Sequence, residues 1–235
     1  MEIIKEMFPA NVPGMKLNNG AVMPQVGLGV FHLEEGDDCY NAVMTALKDG
    51  YRHIDTAHAY SNERSVGRAV KDSGIPREQI WITSKLWPNE YGSEQTPAAI
   101  ERMLKRLDVD YIDLLYLHQP VGDYVGGYKA MEQALKDGKL RAIGISNFDF
   151  SDSLYHSLVD NVELTPDAMQ IECHPYDQRK HWKEVLNSAN IVLESTQPTL
   201  RRDINPQWWR NHNLVIQCRQ VRRVTRLDIP VFDNP

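Results

Sequence analysis

Four residues in the first half of the chain are of types that can hold and move a proton: Asp55, Tyr60, Lys85 and His118. A tyrosine hydroxyl titrates near pH ~10, too high for easy proton exchange at neutral pH. A lysine cation beside it favours the phenolate and lowers that barrier. An aspartate paired with the lysine holds the cation in place. A histidine beside the phenol can hydrogen-bond a substrate oxygen or relay a proton. Each residue alone has a plainer explanation. A histidine at a strand end is more often structural, an aspartate in a strand–helix loop is more often a helix cap, and a lysine is usually a solvated charge. Only the set makes a proton-transfer site.

Such a set needs elements that bring its members together. Eight short apolar runs are available: Val26–Phe31, His53–Ala57, Ile80–Leu86, Ile112–His118, Ala142–Ser146, Met169–Cys173, Ile191–Glu194 and Leu214–Gln217. They are too short for helices and rich in Ile, Val and Leu. Between them lie stretches with helical spacing, among them Cys39–Lys48, Glu63–Lys71, Thr96–Leu107, Gly127–Lys136 and Lys180–Asn187. This alternation predicts a parallel sheet covered by helices. Eight runs predict closure into a parallel (β/α)8 TIM barrel, an α/β fold of about 250 residues whose active sites lie at strand C-termini. Asp55, Lys85 and His118 fall at such ends, and Tyr60 follows in the next loop. No G-x-G-x-x-G follows the first run, so the dinucleotide fingerprint of an open doubly wound sheet is absent. Ahead of the barrel, Met15–Leu17 and Ala21–Met23 flank Asn18-Asn19-Gly20, which predicts an N-terminal β-hairpin able to plug the barrel bottom. The whole of 1–235 reads as one barrel domain. Its seventh and eighth helical units are shortened or missing, because Thr199–Asn211 carries Pro206 and only 18 residues follow the last run.

The motifs are recognisable. Gly50-Tyr51-Arg52-His53-Ile54-Asp55-Thr56-Ala57, then Tyr60 and Asn62-Glu63, closely resembles the first signature of the aldo-keto reductases. Thr83-Ser84-Lys85-Leu86-Trp87 resembles their lysine strand and Leu115-Tyr116-Leu117-His118 their histidine strand. Ile143–Phe148 and Gln170–Pro175 match two further motifs of that family. The resemblance runs from about Met15 to Glu194 and is most like bacterial-type reductases of small diketones and aldehydes. It implies an NADPH-dependent oxidoreductase that reduces aldehyde and ketone carbonyls to alcohols by hydride transfer. Tyr60 would be the general acid, Lys85 and Asp55 would tune it, and His118 would orient the carbonyl. Ser146, Asn147 and Gln170 would hold the nicotinamide carboxamide, with Val30 and Asp55 also on the cofactor. Phe31, Trp87 and Gln119 would line the substrate pocket; the family often has Trp where Gln119 stands.

The chain departs from the family's pattern after Glu194. Thr196 stands where the family has an aromatic residue stacked on the nicotinamide. A few tens of residues are missing between about Leu200 and Trp208. The positions that would clamp the cofactor's 2′-phosphate and adenine read Cys218-Arg219, Val224 and Leu227-Asp228. Losing two or three charge-assisted bonds to phosphate weakens binding on the order of 10²–10⁴-fold. Arg219, Arg222, Arg223 and Arg226 are candidates to replace them, Arg219 foremost. NADPH is the expected cofactor, with NADH possible. The alternative is a catalytically impaired barrel remnant that binds cofactor weakly or not at all and acts as a binding or scaffold protein.

Bulk properties bound the partners. Hydrophobic content of 42% and charged content of 25% are ordinary for a globular chain and exclude disorder. Residues 201–235 carry seven Arg against three Asp, which leaves −10 of the overall −6 on the first 200 residues. An acidic body argues against nucleic acid. Three cysteines, Cys39, Cys173 and Cys218, have no metal-ligand spacing and fit a reducing compartment. Acids occupy Met1–Glu6, where a signal peptide needs an apolar stretch, and no apolar run approaches membrane-spanning length. A cytoplasmic protein acting on a small-molecule carbonyl substrate is expected, without metal or membrane, as a monomer or weak homodimer.

Overall fold

The computed structural model describes residues 12–196 and the backbone of 215–219. Ten strands and six α-helices run in the order β1 Gly14–Lys16, β2 Val22–Pro24, β3 Val26–Gly29, α1 Asp37–Lys48, β4 His53–Asp55, α2 Glu63–Asp72, β5 Trp81–Leu86, α3 Gln95–Leu107, β6 Leu114–Leu117, α4 Tyr124–Lys136, β7 Ile143–Ser146, α5 Asp152–Val159, β8 Ala168–Glu172, α6 Lys180–Ser188, β9 Val192–Thr196 and β10 Val215–Arg219. Strands β3 to β10 close into a barrel in sequence order, every neighbouring pair parallel. The last strand returns to the first, with Arg219 opposite Gly29. All eight apolar runs are barrel strands. Six end earlier than the apolar run or gain a residue, because ladder pairing and not hydrophobicity sets the boundary. The expected shortening of the seventh and eighth helical units falls on residues outside those described.

Period-two alternation sorts each strand between two environments. On β5, Ile82 and Leu86 join the large core beneath the helices, whereas Trp81 packs inside the barrel. On β6, Leu115 and Leu117 face the helices while Leu114 and Tyr116 face in. The same phase on β4 and β5 turns His53, Asp55, Thr83 and Lys85 into the barrel. The interior is packed tightly enough to demand glycine: a Cβ on Gly144 would lie 2.4 Å from the Tyr116 ring. The helices cover the outside with stripes of helical period. Helix α1 buries Cys39, Val43, Ala46 and Leu47, and α3 buries Ala99, Ile100, Met103, Leu104 and Leu107.

The hairpin forms and closes the bottom. Strands β1 and β2 pair antiparallel, and Gly20 adopts φ 90° in the turn. Leu17 and Met23 join Trp81, Leu114, Tyr116, Ala168 and Val192 in a buried cluster at the strand N-termini. The turn is tied down by Asn18 Nδ2 donating to Pro166 O at 2.9 Å and Asn19 Nδ2 donating to Arg141 O at 3.0 Å. Helix α5 is the one helix among α1–α6 that the helical spacing did not flag. It is eight residues long and starts on Ser151, whose hydroxyl accepts from Leu154 N–H at 3.2 Å. Among the described residues, no helix is long and apolar enough to cross a membrane.

Candidate active site

Asp55 and Lys85 occupy the C-terminal ends of neighbouring strands and both point inward. Lys85 Nζ donates to Asp55 Oδ1 at 2.5 Å, to Thr56 O at 3.0 Å and to Tyr60 Oη at 3.4 Å. Both charged side chains are 1% exposed, so this pair is held away from water. Burial alone would lower the lysine's pKa. The Asp55 carboxylate, with Tyr60 and Glu194, outweighs it and holds the group above its ordinary value, as a cation. The second oxygen of Asp55 accepts from Gln170 Nε2 at 3.0 Å across the barrel.

Tyr60 comes from a single 3₁₀ turn, His58–Tyr60, ended by Ser61 at φ 57°. That loop is clamped by Asn62. An Asn immediately before a helix reads as a cap, yet here its side chain makes no cap bond. It accepts from Thr56 Oγ1 at 2.7 Å and donates to Val30 O at 3.0 Å and Leu33 O at 2.9 Å. The buried amide thus fixes the loop carrying Tyr60 against the first strand's exit.

His118 leaves β6 beside this group. Its ring stands edge-on to Tyr60, with centroids 5.8 Å apart, and to Trp87 at 5.1 Å. Burial, reinforced by the Lys85 cation, pushes its pKa down to about 3, so the ring is neutral at ordinary pH. Its Nδ1 is buried without a hydrogen-bond partner among the described residues. Such a group is either costly or awaiting a ligand.

These side chains open into a cleft of about 750 Å³ whose walls include Phe31, Tyr60, Trp87, His118 and Gln119. Phe31 packs on Tyr60 at 4.8 Å between centroids. Gly29 and Phe31 line the cleft, whereas Val30 between them is fully buried in the core beneath the helices. The side chain of Arg219 and positions 222–228 lie outside the described residues.

Ser146, Asn147 and Gln170 meet on the opposite strands. Asn147 Nδ2 donates to His118 O at 2.9 Å and Ser146 Oγ at 3.1 Å, and Gln170 Nε2 gives one proton to Asp55. This assigns both amide orientations. Left without a partner among the described residues are Gln170 Oε1 and its second Nε2 proton, Asn147 Oδ1 and the Ser146 hydroxyl proton. The two acceptors can take the NH₂ of a carboxamide, which donates twice, and a leftover donor can reach its oxygen. The residues present therefore fit the nicotinamide end of a dinucleotide. Thr196 also lines this part of the cleft and offers no ring to stack on it.

Two further residues were not singled out by the sequence. Glu90, 4% exposed, accepts from His58 Nδ1 at 2.5 Å, from Arg102 NH2 at 3.2 Å and from Trp87 N–H at 3.4 Å. It joins the loop that carries Tyr60 to the loop that carries Trp87. Neither residue belongs to a recognisable spacing, since 32 positions separate them.

A closed parallel barrel with buried Asp55, Lys85 and His118 gathered around a half-buried Tyr60 at the C-terminal ends of its strands is the architecture of a barrel enzyme. The comparisons name the family. The Aldo/keto reductase family model matches residues 25–199. Glyoxal reductase of Bacillus subtilis is 43% identical over 190 residues, covering 80% of this chain and 67% of that protein. The crystal structure of an aldo/keto reductase from Brucella melitensis superposes with a TM-score of 0.84 at 32% identity, over 89% of this chain and 88% of that one. A Bombyx mori aldo-keto reductase in complex with NADP gives a TM-score of 0.78 at 27% identity, over 90% and 84%. The chain belongs to the aldo/keto reductase family, an oxidoreductase family. It spans about two thirds of the length of the curated relatives it matches.

Proposed function

We propose that this chain reduces the carbonyl group of small aldehydes and ketones at the expense of NADPH, with Tyr60 as the general acid. The observation that carries the reading is Lys85 Nζ seated between Asp55 Oδ1 at 2.5 Å and Tyr60 Oη at 3.4 Å. NADPH, when bound, would supply the hydride for the carbonyl carbon. Tyr60 delivers its hydroxyl proton to the carbonyl oxygen, which completes the alcohol and leaves a phenolate. The buried Lys85 cation stabilises that phenolate, and Asp55 keeps the cation in place and charged. Neutral His118 hydrogen-bonds the carbonyl oxygen and aims it at Tyr60. Ser146, Asn147 and Gln170 would hold the cofactor's carboxamide. The Phe31 and Trp87 side chains exclude water from the reacting atoms.

A second reading draws on Thr196 and on the altered clamp positions: a barrel that keeps the proton-transfer group but binds cofactor too weakly to turn over. Fluorescence titration with NADPH separates the two. Saturable quenching in the micromolar range, with NADPH oxidation on adding an aldehyde and none in Tyr60→Phe, supports the reductase. No binding at millimolar cofactor supports the remnant.

A further inference from the structure

His58 lies two residues before Tyr60 and lines the same cleft, but the proton-transfer scheme does not use it. Its side chain is 35% exposed, and its Nδ1 is committed to the buried Glu90 at 2.5 Å. A carboxylate only accepts, so Nδ1 carries the proton on that edge. In the neutral ring this leaves Nε2 as a lone-pair acceptor, with no partner among the described residues. Glu90 is itself immobilised by Arg102 and the Trp87 N–H, so the imidazole is held at a fixed angle and not free to rotate away. Asn89 and Gln119 add polar groups to the same cleft, beside the aromatic walls of Phe31 and Trp87. An alkyl chain gains nothing from a fixed acceptor and desolvates it at a cost. An anionic substituent would face Glu90 through the ring. A hydroxyl satisfies both constraints, since it is neutral and donates.

We propose that His58, positioned by Glu90, is a specificity-determining residue whose Nε2 accepts a hydrogen bond from a hydroxyl on the substrate, so that the cleft selects hydroxylated aldehydes and ketones over alkyl ones of equal length. This rests on the reductase reading for its kinetics but not for its binding chemistry. A site built to hydrogen-bond a substrate hydroxyl discriminates against the analogue that lacks it, because Nε2 then gives up its water without gaining a donor.

The test uses the full chain with saturating NADPH and two three-carbon aldehydes, glyceraldehyde and propanal. The ratio of kcat/KM for glyceraldehyde over propanal falls about 3- to 10-fold in His58→Ala, and His58→Gln, which keeps an acceptor, restores part of it. An unchanged ratio overturns the proposal, as does a wild-type preference for propanal. A second measurement needs no turnover. In histidine-selective 15N NMR, the His58 Nε2 resonance moves on titration with propane-1,2-diol and stays in place with 1,2-dimethoxypropane, which has no hydroxyl to donate; equal responses to both overturn the proposal. If neither aldehyde is turned over while the diol still moves Nε2, the hydroxyl site stands and the reductase reading falls. If propanal is reduced and the ratio ignores His58, the reductase stands and the hydroxyl site falls.

Discussion

At the bottom of the barrel, Asp113 accepts from Arg77 at 2.7 Å, from Arg141 at 2.8 Å and from the Ile82 N–H at 2.9 Å. At the top, Asp55 accepts from Lys85 and Gln170. Both are buried carboxylates paired with cations, yet their surroundings differ. Asp113 binds two arginines and one strand N–H, and Asp167, just before β8, accepts from the backbone N–H groups of Ile143 and of Asn19 in the hairpin turn. Around Asp55 the partners are the side chains of Lys85 and Gln170, and Asp55 and Gln170 themselves line the cleft. The bottom uses its polar groups to hold strands and loops together. The top leaves a few of them aimed at a cleft. This is how a barrel separates its stability from its chemistry.

The sharpest way to break that contrast is Tyr60→Phe. It removes one oxygen at the top, and turnover should fall about 10²–10⁴-fold while the NADPH titration and the urea midpoint stay near wild type. A variant that loses cofactor binding in parallel would show that the two ends of the cleft are not independent.

Next in size is the bottom. Asp113→Ala strands two guanidinium groups that are 21% and 26% exposed, and should cost about 3–5 kcal/mol in urea unfolding. Molecules that remain folded should keep their KM, since no group of the cleft is touched. Met23→Ala removes a fully buried side chain of the plug and should cost about 2–4 kcal/mol by the same measurement. A stability change near zero would mean that the hairpin does not seal the barrel.

The smallest effect is on pH. Burial holds His118 at about 3 against an ordinary 6.5, so its folded value lies below its unfolded one. Its contribution is complete above the unfolded value and drains away as pH falls toward the folded one. Wild type should therefore lose about 2 kcal/mol between pH 7 and pH 5 that His118→Gln does not lose. Asp167, raised by burial to about 6, has the opposite sign. It is common to both proteins, so the difference between their unfolding curves isolates His118. Parallel curves would show that the imidazole titrates normally and is not held neutral.

Much of this molecule was legible in its residues. Strand positions followed from short Ile-, Val- and Leu-rich runs, because a strand covered on both faces needs a continuous apolar segment. The hairpin followed from Asn-Gly, whose backbone freedom is local. Asp55, Tyr60, Lys85 and His118 stood out because proton transfer restricts residue type more than packing does. Helix α5 escaped because eight residues with two buried side chains, Tyr155 and Leu158, carry too little periodicity to register. What only the tertiary structure decided is which polar groups are spent and which are left over. Asn62 looks like a helix cap and serves instead as a clamp between two loops. Gln170 lines the cleft and gives an amide proton to Asp55 across the barrel. His58 and Glu90 become partners only when two strand–helix loops are brought side by side. Hydrogen bonds between residues 32 or 115 positions apart depend on barrel closure, and no local pattern encodes them.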